Sequence, residues 1–226
     1  MIKGRSPLII LLAIASLSLT KECDRSSAIA TGGGKMNRSL TIHALKLSDA
    51  EFEQIVRSNP EWNFEQTAAG ELVIVPPTGG TSGRKNSSLT GQLNAWVEAH
   101  LSLGESFDSN TLFVLPNGAK RMPDASWVKR DRWEALTQQQ QDGYVPLCPD
   151  FVVELRSPTD SLEELQAKMQ EYIDNGTRLG WLINPQARQV EIYRQGQPVE
   201  ILQSPITLSG EDVLPGFTLN LQRIFV

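Results

Sequence analysis

Pro-Asp-Phe-Val-Val-Glu-Leu-Arg-Ser-Pro (149–158) is the stretch whose reading decides the fold. Residues 151–155 form a short apolar run rich in β-branched side chains and bounded by prolines. That pattern reads as a strand buried in the middle of a sheet. Glu154 lies inside the run. A carboxylate in a buried strand is costly unless it is paired or bound to a cation. Ser157-Pro158-Thr159-Asp160 then opens a helix that carries Lys168 and stops at Asn175-Gly176.

A second segment repeats the combination. Arg-Met-Pro-Asp-Ala-Ser-Trp-Val (121–128) reads as a strand over 122–128 that bears Asp124. Adjacent strands would bring Asp124 and Glu154 to one point. Two hard oxygen donors there, with a strand carbonyl as a third, suit a divalent metal that activates water against a phosphodiester. In the helix, Leu162, Leu165, Met169, Tyr172 and Ile173 span an apolar arc of roughly 100° at the helical period, and Lys168 falls roughly 40° beyond its edge at Tyr172. Lys168 can therefore lean toward the sheet and either orient the attacking water or stabilise charge that develops on a reacting phosphate. A structural alternative stands beside each reading. For Glu154 it is a buried salt bridge to Arg156 or Arg178, for Asp124 a turn cap after Pro123, and for Lys168 a boundary lysine with its ammonium in water. Asp150 precedes its strand and reads as a capping or orienting group. Glu71 is carried by a strand, and the pattern leaves its face undecided.

The rest of the chain supplies the frame. Leu47-Ser48-Asp49-Ala50-Glu51 opens a helix with a capping signal, and Pro60 ends it. Residues 62–64 and 71–75 read as strands joined around Ala69-Gly70, and 76–85 as a loop. A helix follows over 86–103 with Leu89, Leu93, Trp96 and Val97 on one face. Strands are expected at 111–115, 179–183, 189–194 and 199–202. A short helix is expected at 130–136 and a loop at the glutamine run 138–141. The order predicts an α/β (α+β) domain with one mixed central β-sheet flanked by helices.

Composition narrows the classes. The 226 residues suffice for one domain with a real core, and 40% hydrophobic with 21% charged residues describes an ordinary folded protein. The net charge of −5 argues mildly against a large nucleic-acid surface, although Arg84, Lys85, Lys120, Arg121, Lys129, Arg130 and Arg132 are candidates for a local basic groove. Cys23 and Cys148 fit no zinc spacing and no disulfide framework, and Cys148 reads as a small core residue. His43 and His100 have no HExxH-like setting and support no histidine-based site.

Residues 1–20 resemble a signal peptide, with Lys3 and Arg5 before an apolar stretch over 7–19 that is too short for a confident membrane span. No convincing small-x-small cleavage site follows it. A Ser/Gly-rich linker then leads to Met36. The expectation is a mis-assigned start, with residues 1–35 an extension and 36–226 the domain. Export is the alternative, and the protein is otherwise expected in the cytoplasm, without stable membrane association.

Several motifs together carry a resemblance. They are Gly70-Glu71-Leu72-Val73, Pro76-Pro77, Pro123-Asp124-Ala125-Ser126-Trp127-Val128, the 149–158 segment, Lys168 with Tyr172, Gly176, and Trp181-Leu182-Ile183-Asn184-Pro185. In that order the chain resembles the Uma-two family of bacterial restriction-endonuclease-like proteins over about residues 40–226. The resemblance implies the PD-(D/E)xK nuclease superfamily, a restriction-endonuclease-like core, and a Mg²⁺- (or Mn²⁺-) dependent endonuclease acting on DNA. Asp124 and Glu154 then match the metal-binding acids. Position 156 is Arg where the simple motif has Lys, and arginine is a poor proton acceptor. The family's lysine points to Lys168 instead. Asn184 stands where aspartate is common.

Three functions compete on the sequence alone: a metal-dependent nuclease, a catalytically silent nucleic-acid-binding or regulatory module on the same fold, and an exported protein of another role. These residues show no zinc-finger or helix-turn-helix pattern, so recognition is expected to fall to loops such as 76–86 and 137–147. By analogy with related nucleases, a homodimer is expected.

Overall fold

Local signals account for most of the elements in the computed structural model, which describes residues 39–226. The readings of residues 1–35, of the start at Met36 and of Cys23 lie outside the described residues. β1 (Leu40–Lys46) leads to α1 (Asp49–Ser58). Ser48 caps that helix in a capping box: its hydroxyl accepts from the Glu51 backbone, and the Glu51 side chain returns to the Ser48 N–H. β2 (Asn63–Gln66) and β3 (Glu71–Val75) follow, then α2 (Gly80–Ala99), β4 (Gly104–Asp108), β5 (Phe113–Val114), β6 (Lys120–Arg121) and β7 (Ala125–Lys129). Two short helices, α3 (Arg130–Glu134) and α4 (Gln138–Asp142), precede β8 (Phe151–Leu155). The chain continues through α5 (Leu162–Asp174), β9 (Leu179–Asn184), β10 (Gln189–Arg194), β11 (Glu200–Gln203), β12 (Thr207–Ser209) and β13 (Thr218–Asn220).

The expected single mixed sheet is divided. One sheet is antiparallel, in the order β1-β3-β2-β6-β5. The other has six strands in the order β11-β10-β9-β8-β7-β4, and a small third sheet pairs β12 with β13. Within the six-stranded sheet only β8 and β9 run parallel, joined by α5. The split has a local cause. The strand expected over 122–128 breaks at Met122-Pro123-Asp124, where proline offers no N–H to a ladder. The chain leaves the first sheet at Arg121 and joins the second at Ala125.

Side-chain alternation then sorts the core. Phe151, Val153 and Leu155 of β8 join Trp127, Trp181 and Ile183 in a cluster under α2, whose Leu89, Leu93, Trp96 and Val97 supply the expected apolar face. Val152 faces the opposite side, with Met169 and Tyr172 of α5 and with Cys148, which is a core residue as expected. Glu154 shares the Val152 parity and so points toward α5 rather than into the large cluster. A third cluster packs Phe52 and Ile55 of α1 on Phe64 and Leu72 of the first sheet.

Two loops turn out helical. Residues 80–85 begin α2 although Gly, Thr and Ser are poor helix formers, because Arg84 donates to the Arg223 and Val226 carbonyls and ties this turn to the C-terminal segment. The helix then ends at Ala99 rather than 103. The glutamine run forms α4 under a Thr137–Gln140 capping box, with Gln141 Nε2 donating to the Trp133 carbonyl at 2.9 Å. The strand expected over 111–115 shrinks to two residues, while β1, β4, β12 and β13 are strands not expected from the sequence. Among the described residues, no helix is long and apolar enough to cross a membrane.

Close packing at the start of β4 gives a stability test. A methyl group on Gly104 would meet the Val128 carbonyl oxygen and the Trp127 indole, neither of which can move without disturbing β7. Gly104→Ala is expected to lower stability by about 2 kcal/mol. Thermal denaturation followed by circular dichroism checks this; an unchanged midpoint would show that the sheet has slack here.

Candidate functional site

The two sheets meet at a cleft of about 440 Å³, and the candidate residues gather on its walls. The β7–β8 register runs Trp127↔Phe151, Ser126↔Val152, Ala125↔Val153. One further step would set Asp124 beside Glu154. There the ladder gives way to a side chain: the Leu155 N–H donates to Asp124 Oδ2 at 2.7 Å. Asn86 Nδ2 on α2 donates to the other oxygen, Oδ1, at 3.1 Å. Asp124 therefore lies in the break before β7, not within a strand, and it anchors the neighbouring strand instead of capping its own turn.

Glu154 is buried, and its partners come from α5. The Lys168 ammonium lies 2.9 Å from Glu154 Oε1, and the Tyr172 hydroxyl donates to the same oxygen at 3.0 Å. Lys168 and Tyr172 are four residues apart and so share one face of the helix. Lys168 thus leans to the sheet. Arg156 and Arg178, the alternative partners of Glu154, turn elsewhere: Arg156 donates to the Asp160 carbonyl and Arg178 pairs with Asp212.

The ammonium has a second carboxylate. Glu65 on β2, in the other sheet, lies 2.9 Å from Lys168 Nζ. Its Oε1 also accepts from the Met122 N–H at 2.8 Å, and its Oε2 lies 3.3 Å from Arg121, which is held in turn by Glu171 at 2.6 Å. The sequence reading missed Glu65. It ended the strand at Phe64, one residue too early to meet the criterion applied to Asp124 and Glu154, a carboxylate inside a strand. Asn86 carried no signal beyond its place on α2. Tyr172 was read chiefly as part of an apolar arc.

Burial dominates the electrostatics. Loss of water pushes the Glu154 carboxyl up to about 7 despite Lys168, and the neighbouring Asp124 and Glu65 add to the rise. Burial likewise pushes Asp124 up to about 6 against the opposing pull of the Leu155 N–H and Lys168. Glu65 goes the other way. Burial would raise it, but Lys168 and Arg121 together hold it below the ordinary range. For Lys168 burial opposes the charge, yet Glu154 and Glu65 outweigh it and keep the amine protonated. The site therefore holds two carboxylates that lack adequate positive charge and one lysine that has ample negative charge.

That imbalance fits a cation. Asp124 and Glu154 offer hard oxygens, and the buried Asn86 Oδ1 beside Asp124 has no hydrogen-bond partner. Among the described residues no three His, Cys, Asp or Glu side chains converge as a complete metal cage. Two carboxylates are the donor set that Mg²⁺ commonly takes, with water and substrate phosphate completing its shell.

The other candidates have structural duties. Asp150 accepts from the Lys129 N–H and pairs with Arg132, the orienting role read for it. Glu71 faces the cleft, but its partners are His43 and Thr67. Six of the seven basic-groove candidates are held by other groups, whereas Lys85, next to Asn86 on α2, has no carboxylate partner among the described residues. Lys120 is buried against Asp49 and Gln66; Arg121 holds Glu65 and Glu171; Lys129, Arg130 and Arg132 pair with Asp131, Glu105 and Asp150; and Arg84 binds the C-terminal carbonyls. Of the two candidate recognition loops, 76–86 contributes to the cleft wall, through Pro76, Pro77, Thr78, Gly79, Ser82 and Asn86.

Comparison with known proteins agrees with this architecture. A solved structure described as "a putative nuclease belonging to DUF820 from Anabaena variabilis" superposes with a TM-score of 0.66 at 20% sequence identity, covering 79% of this chain and 97% of that one. No curated protein matches the chain. The family model "Uma2: Putative restriction endonuclease" matches residues 49–222, which include Glu65, Asn86, Asp124, Glu154 and Lys168. The chain, with its split-sheet core and acid-lined cleft, belongs to the Uma2 family.

Proposed function

We propose that this protein is a Mg²⁺- or Mn²⁺-dependent endonuclease that hydrolyses phosphodiester bonds of DNA at the Asp124–Glu154–Lys168 site. The observation that carries the reading is the pair of cation-deficient carboxylates at the seam of two sheets, with a protonated lysine on one of them. A divalent ion on Asp124 and Glu154 would supply Lewis-acid polarisation of the phosphoryl oxygen and a more acidic water.

The chain's own groups do the rest. The Leu155 N–H and Asn86 amide fix Asp124, and the Tyr172 hydroxyl fixes Glu154, so neither carboxylate loses further rotamer freedom on binding. Lys168 stays protonated and so acts as a hydrogen-bond donor and positive charge toward the reacting phosphate, not as a base. Arg121 is committed to Glu65 and Glu171, and Arg156 to a carbonyl, so neither competes for that role. The acidic lining, which includes Glu71, Asp160 and Glu171, repels a bare polyanion. A phosphate backbone would approach together with cations, and a nucleic-acid module relying on basic side chains alone is the weaker reading. A homodimer, each copy cutting one strand, remains part of the proposal by analogy.

Cleavage is the direct test. The full chain is expected to nick supercoiled plasmid or cut single-stranded DNA with Mg²⁺ or Mn²⁺ and not with EDTA. Asp124→Ala and Glu154→Ala should each lower the rate by at least about 10²-fold, in line with the removal of a group that stabilises developing charge. A folded wild-type protein that cuts neither substrate under any of these conditions would refute the reading.

A second test uses pH. Both carboxyls bind protons more tightly folded than unfolded, so their stabilising contribution is present below about pH 4 and is lost as pH rises through about 6 for Asp124 and about 7 for Glu154. Above those values the ionised pair is free to take a cation. Mn²⁺ is therefore expected to raise the melting temperature at pH 8, with the gain shrinking through pH 7 and 6 and nearly gone at pH 5. A gain that is independent of pH, or equal in Glu154→Ala, would place the ion elsewhere.

A further inference from the structure

The Lys168 ammonium is shared between two carboxylates at equal distance, 2.9 Å to Glu154 and 2.9 Å to Glu65. They belong to different sheets and have different duties. Glu154 is the one proposed to take a divalent cation. Glu65 is buried, kept ionised by Lys168 and Arg121, and anchored by the Met122 N–H. A cation on Glu154 would repel the ammonium beside it, because like charges that close are unfavourable even where screening is substantial. The lysine cannot simply leave, since it is largely enclosed and would lose its hydrogen bonds.

We infer that Glu65 is a positioning residue: it receives the Lys168 ammonium when a divalent cation takes Glu154, and so lets metal and lysine occupy the site together. The inference rests on the proposed metal site. Its geometric basis is that the carboxylate is already in place, so the lysine need only surrender one of two bonds. Arg121 and Glu171 complete the arrangement. Arg121 pins Glu65 Oε2 while Glu65 Oε1 faces the lysine, and Glu171 holds Arg121 from the far side. Without the Glu65 charge, Lys168 would have Glu154 as its one carboxylate and would compete directly with the ion.

Mn²⁺ affinity, measured by titration calorimetry on the full chain, tests this without any need for cleavage. Glu65→Gln is expected to weaken Mn²⁺ binding about tenfold, and Lys168→Gln to tighten it, because the competing ammonium is gone. The decisive comparison is the double variant. In the Lys168→Gln background the Glu65→Gln loss should fall to about threefold or less, the residue left by through-space charge alone. Glu65→Asp, which keeps the charge, should bind Mn²⁺ closer to wild type than Glu65→Gln does, and Glu65→Ala, which also removes the charge, serves in place of Glu65→Gln if that variant fails to fold.

The outcomes separate. Wild-type binding with an unchanged Glu65→Gln affinity, or an equal Glu65→Gln loss with and without the lysine, overturns the role of Glu65 and leaves the metal site standing. Absence of Mn²⁺ binding by the wild type overturns both.

Discussion

One buried ammonium holds the site together. Lys168 joins Glu154 of the six-stranded sheet to Glu65 of the five-stranded one. Neither carboxylate would be tolerable at its depth alone, since burying one charge without a partner costs several kcal/mol. Three charges in one enclosure leave an excess negative charge, and the site spreads it unevenly. Glu65 also has Arg121 and a backbone N–H, and so remains ionised readily. Glu154 shares its lysine and lies near Asp124, and so carries the deficit. The asymmetry supports the proposed division of roles, with the satisfied carboxylate holding the structure and the deficient one taking the cation.

The break at 122–124 has a similar double consequence. Pro123 ends pairing in the first sheet, and the chain crosses to the second at Asp124. A carboxylate in a regular strand would have had its direction set by the pleat. Released from the ladder, Asp124 turns one oxygen to the Leu155 N–H and the other to Asn86. That N–H would otherwise be an unpaired ladder donor at the end of β8. The same few residues thus divide the sheets, terminate β7–β8 pairing and set a carboxylate next to Glu154.

Much of this was legible in the sequence because it rests on local rules. The Ser48–Glu51 capping box, the β8 run and the Asn175-Gly176 stop all follow from spacing within one element, whereas spacing allows Lys168 to lean toward the sheet but by itself favours a boundary lysine. Asp124 and Glu154 were legible because a carboxylate among apolar neighbours is unfavourable without a partner. What the sequence withheld is long-range. Nothing local tells that β2 and β8 lie in separate sheets and yet approach near Lys168, a link spanning 103 positions from Glu65. The helical start at Gly80 depends on Arg84 reaching carbonyls more than a hundred residues away. The glutamine run failed for the opposite reason: a local signal, Thr137 with Gln140, was present and composition outweighed it.

Charge placement also explains why a chain of net charge −5 need not display a basic groove to act on nucleic acid. Most of the cations that a groove would need are committed to the fold: Lys120 ties α1 to β2 and β6, Arg121 fixes Glu65, and Arg132 orients Asp150. Freeing any of them for a phosphate would strand a buried carboxylate or amide, and that penalty is comparable to the attraction of the new ion pair. Under the proposed function, attraction would come from ions held by the acidic cleft. On the proposed reading, substrate affinity would then depend on the same carboxylates as the chemistry. If the proposed site is correct, binding and turnover would fail together when Asp124 or Glu154 is neutralised, whereas a surface lysine would alter binding alone.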